Sequence, residues 1–245
     1  MHRVKLSDHI VLLLGSLFMI GPVAIAFLTS THDAVEIHRE GLQATWGGHF
    51  LDTYTDVLVK KGGFTGQVTG LRMVMNSMIL GVGFAVGKIV LSMLAAYAIV
   101  YFRFRMGTFF FWVIFTTLLL PLEVRIVPSY EVVQKLGLLN SYTGLIVPLL
   151  ASATGTFYFR QFYKSVPDEL LEAARIDGAG PFKFFVDILL PVSRTMIAAM
   201  FIIMFVYGWN QYLWPMMMTT EEGYFTLVRG IKQILLVWVG SQIPE

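Results

Sequence analysis

The chain has 245 residues, of which 56% are hydrophobic and 14% charged, with a formal net charge of +2. Soluble domains carry roughly a quarter charged residues, so this composition excludes an ordinary water-coated surface, and the small net charge gives no argument for nucleic acid. The lack of cysteine excludes disulfides, thiolate metal sites and cysteine nucleophiles.

Crossing about 30 Å of hydrocarbon takes roughly 20 helical residues. The first candidate is the uncharged run 10–28, behind the basic start His2-Arg3-Val4-Lys5. Its 19 residues exceed a secretory h-region of about 7–15. The triplet Ala24-Ile25-Ala26 lies inside the run rather than after it, so the run reads as a span and not a cleaved signal. Segment 73–101 follows, with the single charge Lys88. Segment 107–122 is dense in Phe and Leu and is expected to continue past Pro121. Segments 143–159 and 195–218 complete five spans, and 226–239, interrupted by Arg229 and Lys232, reads as an external amphipathic helix.

Five crossings put alternate connections on opposite sides. Segments 1–9, 102–106 and 160–194 hold nine Lys/Arg in 49 residues, whereas 29–72, 123–142 and 219–245 hold eight in 91. The positive-inside rule makes the first set cytoplasmic and the second periplasmic. The expected fold class is therefore all-α, a polytopic helical membrane protein with one transmembrane domain.

The longest cytoplasmic connection, 160–194, contains EAARIDGAGPFKFFVDILLP. Ser165, Pro167, Asp168 and Glu169 supply a helix start, with a capping hydroxyl, a proline and carboxylates on the positive end of the dipole. Gly178 is placed to end that helix in a left-handed conformation. Leu170, Ala173, Ala174 and Asp177 share one stripe, flanked by Glu172 and Arg175. Phe182, Phe185 and Leu189 of the next helix are spaced to face apolar material. By spacing alone the stripe could equally rest on the bilayer.

Charge at membrane depth is costly and usually faces protein or water. Lys88 is either an attractor for an anionic solute such as a phosphomonoester or a lysine paired between helices. Arg125, beside Glu123, is either a pathway cation or half of an interfacial ion pair. Asn76 and Ser77 suit hydrogen bonds across helices or to solute. Trp209, Asn210 and Tyr212 suit an interfacial belt or a path for a polyol. Gly83 and Gly87 form a small-xxx-small helix-packing pattern.

The spacing Glu172-Ala173-Ala174, three residues, Gly178, nine residues, Ile188-Leu189-Leu190-Pro191 resembles the signature of permease subunits of bacterial ATP-binding-cassette importers. Runs 120–126, 159–162, 167–170 and 207–215 resemble the carbohydrate-uptake branch, and within it the second permease of glycerol-3-phosphate importers. The likeness covers essentially the whole chain. It implies a type I importer permease fold in which the 172–191 device is a coupling helix. Family members end in a sixth span, and only five are read here. The resemblance implies a second (A-type) permease, two copies of an ATP-binding (C-type) subunit, a periplasmic (B-type) solute-binding protein and membrane lipid as partners. ATP and Mg would be bound by those partners, with no cofactor and no metal in this chain. Nothing matches a G-x-x-x-x-G-K-[ST] phosphate loop, and the five histidines all precede residue 50, so catalysis by this chain is not expected. The remaining alternatives are a permease for another carbohydrate, such as a maltose-like sugar, and an ATP-independent channel or carrier.

Overall fold

The computed structural model describes residues 6–60, 66–102 and 104–241, and divides into residues 1–70 and 71–245. The described residues contain helices and no strand.

In the first unit, α1 (Leu6–Thr29) is long and apolar enough to cross a bilayer, and its membrane window buries nothing within the protein. Two short helices follow, α2 (Ala34–Glu40) and α3 (Phe50–Val59). Asp33 caps α2 through its own side chain. Thr31 gathers the loop between them: its hydroxyl accepts from Gly47 N at 2.7 Å and its carbonyl from His49 N at 2.9 Å. Phe27, Trp46, Phe50 and Tyr54 pack ring against ring, with the Phe50 and Tyr54 centroids 4.7 Å apart.

The second unit is built around α4 (Gly70–Tyr101), whose 32 residues exceed the roughly 20 a bilayer needs. After it come α5 (Gly107–Thr116), α6 (Leu122–Lys135), α7 (Tyr142–Ile146) and α8 (Ala153–Ser165). The signature loop comprises α9 (Asp168–Ile176), α10 (Pro181–Phe184), a π turn over Phe185–Leu189 and α11 (Leu190–Val192). α12 (Arg194–Trp209), α13 (Leu213–Met218) and α14 (Leu227–Ser241) close the chain.

Two buried clusters lie along α4. One joins Ala85, Ile89, Met93 and Tyr97 to Phe159, Tyr163, Phe184 and Met204. The other joins Leu80 and Phe84 to Ile126, Leu145, Trp214 and Met218. Close approach depends on the expected glycines. A Cβ on Gly83 would stand 2.5 Å from Ile146 Cδ1, and one on Gly87 would collide with Leu150 Cδ2.

Three expected runs are not continuous helices. Segment 107–122 does continue past Pro121, but α5 runs through a 3-10 turn and then bends by 103° into α6. Leu120 is extended where it precedes the proline, as the Pro ring requires. Segment 143–159 is α7, a 3-10 turn containing Pro148, an unwound Leu150–Ser152 and then α8. Segment 195–218 breaks between Trp209 and Leu213. Among the described residues two helices suffice to cross a membrane alone, and up to four crossings result if each bent pair is one span. Of the segment 226–239, residues 227–239 lie in α14, a single helix, and Thr226 precedes it.

Candidate functional site

The signature loop is seated on α4 by its own aromatic and small residues. α9 opens with Asp168 and Glu169 in its first turn, where they face the positive end of the helix dipole. Ser165 does not cap it. That hydroxyl closes α8 by donating to the Phe162 carbonyl at 2.7 Å, and Pro167 takes the cap position with no side-chain bond.

At the other end Gly178 adopts φ +76°. Ala179 N donates back to the Ala174 carbonyl at 2.8 Å, which is the six-to-one bond of a Schellman ending. A Cβ at Gly178 would meet nothing; the requirement there is conformational, not spatial.

Gly180 and Pro181 then open α10, and Tyr97 Oη of α4 donates to the Pro181 carbonyl at 2.8 Å. Phe184 is buried against Tyr97 and Tyr101, with ring centroids 6.4 and 5.2 Å away. Pro191 has no N–H to return to the turn before it, and the chain answers with the π turn over Phe185–Leu189. A 75° bend from Pro181–Val192 into α12 follows.

This seating corrects one expectation. Ala174 does not share an outward stripe with Leu170 and Ala173; it is 3% exposed and packs inside the protein's own core. Phe182 is not packed in the protein's own core, being 81% exposed. The face turned outward instead carries Leu170, Ala173, the 86% exposed Ile176, and Phe182. Glu172, Arg175, Asp177 and Gly178 are exposed beside it. Ile176 was legible as the i+6 member of a row through Leu170 and Ala173, whereas the outward turn of Phe182 follows from the angle between α9 and α10.

Deeper in the same unit, a cavity of about 280 Å³ lies between α4, the α5–α6 bend, the start of α8 and α12. Lys88 lines it and is only 7% exposed. Its ammonium lies 5.2 Å from the Phe84 ring centroid and 4.9 Å from that of Tyr207. Arg125 lines the same cavity. Neither cation has a carboxylate within 4 Å among the described residues, so the ion pair with Glu123 and the interhelical pairing of Lys88 are both absent there. Ser152 and Thr154, which pattern reading did not single out, face this cavity from the start of α8.

The other pathway candidates separate. Asn76 is buried with both polar ends occupied: its amide donates to the Gly223 and Phe225 carbonyls at 2.9 Å each, and its oxygen accepts from Tyr142 Oη at 2.7 Å. Ser77 Oγ accepts from Leu227 N at 2.9 Å. Both therefore tether the segment before α14 rather than present polar atoms to solute. Asn210 and Tyr212 line a neighbouring hollow of about 400 Å³ with Glu123 and Gln211. Tyr212 also receives the Lys232 ammonium at 4.3 Å from its ring centroid. Trp209 is half-buried and packs on Phe205 at 5.7 Å.

Broken helices around a cavity lined by Lys88 and Arg125, together with the signature loop, define the class of protein. The family model described as the binding-protein-dependent transport system inner membrane component matches residues 88–237. The chain belongs to that family: it is a multi-pass helical permease of the inner membrane.

Among individual relatives, it is 44% identical over 243 residues to the sn-glycerol-3-phosphate transport system permease protein UgpE of Brucella abortus, covering 98% of this chain and 85% of that one. It is 47% identical over 232 residues to the protein of the same name from Pectobacterium atrosepticum, covering 95% and 82%. A crystal structure of a bacterial ABC transporter that imports the acidic polysaccharide alginate superposes with a TM-score of 0.78 at 20% identity, covering 100% of this chain and 86% of the matched one. That likeness establishes the type I importer permease fold.

Proposed function

We propose that this chain forms half of the translocation pathway of an ATP-driven importer for sn-glycerol 3-phosphate or related glycerophosphodiesters. It pairs with a second permease, receives solute from a periplasmic binding protein, and is driven by two copies of an ATP-binding subunit. It performs no catalysis itself; ATP and Mg belong to those partners. The names of the relatives supply the substrate class, and the identities of 44–47% over nearly the whole chain support the transfer.

The observation that carries the coupling role is the two-sided α9. Its inner side, Leu171 and Ala174, is packed against α4 and Phe184, while its outer side shows Leu170, Ala173 and Ile176 with charged neighbours. An amphipathic helix whose apolar residues face both ways has an unburied face left for a groove on a partner. Glu172 is placed to meet a basic group there, and Arg175 an acidic one. Ala174 of α9 shares a buried cluster with Tyr97 of α4 and Phe184 of α10, so a push on α9 is passed to α4 through packed side chains.

The test is uptake and nucleotide hydrolysis by the assembled transporter in membrane vesicles. Gly178→Val and Glu172→Lys should abolish binding-protein-stimulated uptake of glycerol phosphate while the chain still inserts. Wild-type uptake and stimulation in both variants would remove the coupling assignment, and co-purification without any ATP-binding subunit would remove the importer reading.

A further inference from the structure

Lys88 presents a physical problem that the protein does not solve by itself. A buried cation without a partner is expensive, and ring faces stabilise an ammonium by only about 0.5–2 kcal/mol. Phe84 and Tyr207 hold the ammonium in place but accept none of its hydrogen bonds. Arg125 brings a second positive charge to the same cavity, and no Asp or Glu lines it; Glu123 lines only the adjacent hollow.

The start of α8 adds donors. Ser152 Oγ accepts from Gly155 N at 3.1 Å, which leaves its own proton free, and the Thr154 hydroxyl has no partner among the described residues. The amides of Ala153 and Thr154 are the orphan donors of that helix, and they add the positive end of its dipole. Irregular backbone at membrane depth is tolerated where it is buried in protein or lines a cavity. Both breaks, at Leu120–Pro121 and Ala151–Ser152, lie on this cavity wall.

We propose that this cavity binds the phosphate group of an organophosphate, with Lys88 and Arg125 as paired cations and the Ser152–Thr154 turn as hydrogen-bond donor. The proposal rests on the function given above and assigns part of substrate recognition to this subunit's own membrane segment. Its volume of about 280 Å³ is near the lower bound of roughly 300 Å³ for small-ligand sites. A neutral sugar would leave two cations unpaired, so the site discriminates by charge.

The chain contains no cysteine, so Lys88→Cys gives a unique handle. In the complete transporter reconstituted into phosphatidylcholine vesicles, Lys88→Cys should lower uptake of labelled glycerol phosphate by roughly tenfold or more, the worth of a charge-assisted hydrogen bond. Aminoethyl methanethiosulfonate, which attaches a cation, should restore uptake; methyl methanethiosulfonate, which attaches a neutral group, should not. The unsubstituted transporter treated with each reagent controls for cysteines in the partners. Glycerol phosphate should slow the modification and glycerol should not.

Arg125→Gln, at an exposed position, should lower uptake with assembly intact, and it decides alone if Lys88→Cys fails to assemble. Unchanged uptake in Lys88→Cys, restoration by both reagents, or no protection by glycerol phosphate would overturn the site, as would unchanged uptake in an assembled Arg125→Gln. Protection that requires phosphatidylglycerol in the vesicles would give the cavity to a lipid headgroup and likewise overturn it. An unsubstituted transporter that imports sugars but no organophosphate would instead overturn the proposed function.

Discussion

Asn76 and Lys88 lie on the same helix, both buried, twelve positions apart, and the protein treats them in opposite ways. Asn76 has three hydrogen bonds, all to residues of its own chain. Lys88 has two aromatic rings and no acceptor among the described residues. A buried polar group that is fully satisfied ties the fold together, whereas one left open implies a partner that arrives from outside. Burial and residue type are the same kind of evidence at both positions; only the closure of the network separates structural from functional.

The largest test of that contrast is Asn76→Leu. It strips the donor from the buried Phe225 carbonyl and the acceptor from the Tyr142 phenol, and leaves the Gly223 carbonyl only Arg72 Nε at 3.4 Å, at about 1–3 kcal/mol for each group left unsatisfied. Thermal unfolding of the detergent-solubilised protein should fall by several degrees or more, whereas Lys88→Met should leave the midpoint unchanged or raise it. Equal losses in both variants would erase the distinction.

Next in size is Gly87→Val, which forces Leu150 aside and costs about 1–3 kcal/mol by overpacking. Because the obstacle is a side-chain tip, Leu150→Ala in the same molecule should recover most of the loss. Failure of that rescue would mean that backbone, and with it the unwound stretch lining the cavity, sets the spacing.

A smaller effect is expected from Gly178→Ala. The added methyl meets no atom, so the cost is that of placing an L-residue in the left-handed region, about 1–2 kcal/mol. Hydrogen exchange should rise in residues 168–181 and stay unchanged around Asn76; a rise at both would show that the loop and the Asn76 tether are not independent.

The smallest concerns a third buried polar group, His32, in the first unit. Its Nε2 is 3.0 Å from the Thr45 carbonyl and its Nδ1 2.9 Å from the Glu36 carboxylate. Two acceptors favour the doubly protonated ring. The hydrogen bond to Thr45 first, and that to Glu36 second, raise its pKa above the ordinary histidine value. The stabilisation is therefore fully present below the unfolded pKa of about 6.5 and is lost as pH rises through the raised value. Hydrogen exchange of residues 29–50 should increase over that window, and His32→Gln should flatten the dependence. A flat profile in the unsubstituted protein would remove His32 from the satisfied class.

Local pattern carried a good part of this molecule. The left-handed turn at Gly178 was legible because the residues around it offer a helix with a glycine at its end. The close approach at Gly83 and Gly87 was legible from their spacing, and Lys88 stood out as a charge within an apolar run. The inward turn of Ala174 was not legible, since one periodic stripe on a nine-residue helix is compatible with either face being buried. The fate of Asn76 was not legible either, because its carbonyl partners lie 147 and 149 residues further along the chain.

The sequence alone determined that this is an apolar, polytopic helical protein with connections of unequal basic density and a signature loop, because hydropathy, charge density and spaced motifs are properties of short windows. Only the tertiary structure decided which polar groups are spent. It closed Asn76 and Ser77 on the segment before α14, left Lys88 open, and brought Arg125 and the start of α8 to the same cavity. Hydrogen bonds and unpaired charges are settled between segments far apart in the chain, and a short window holds only one side of each.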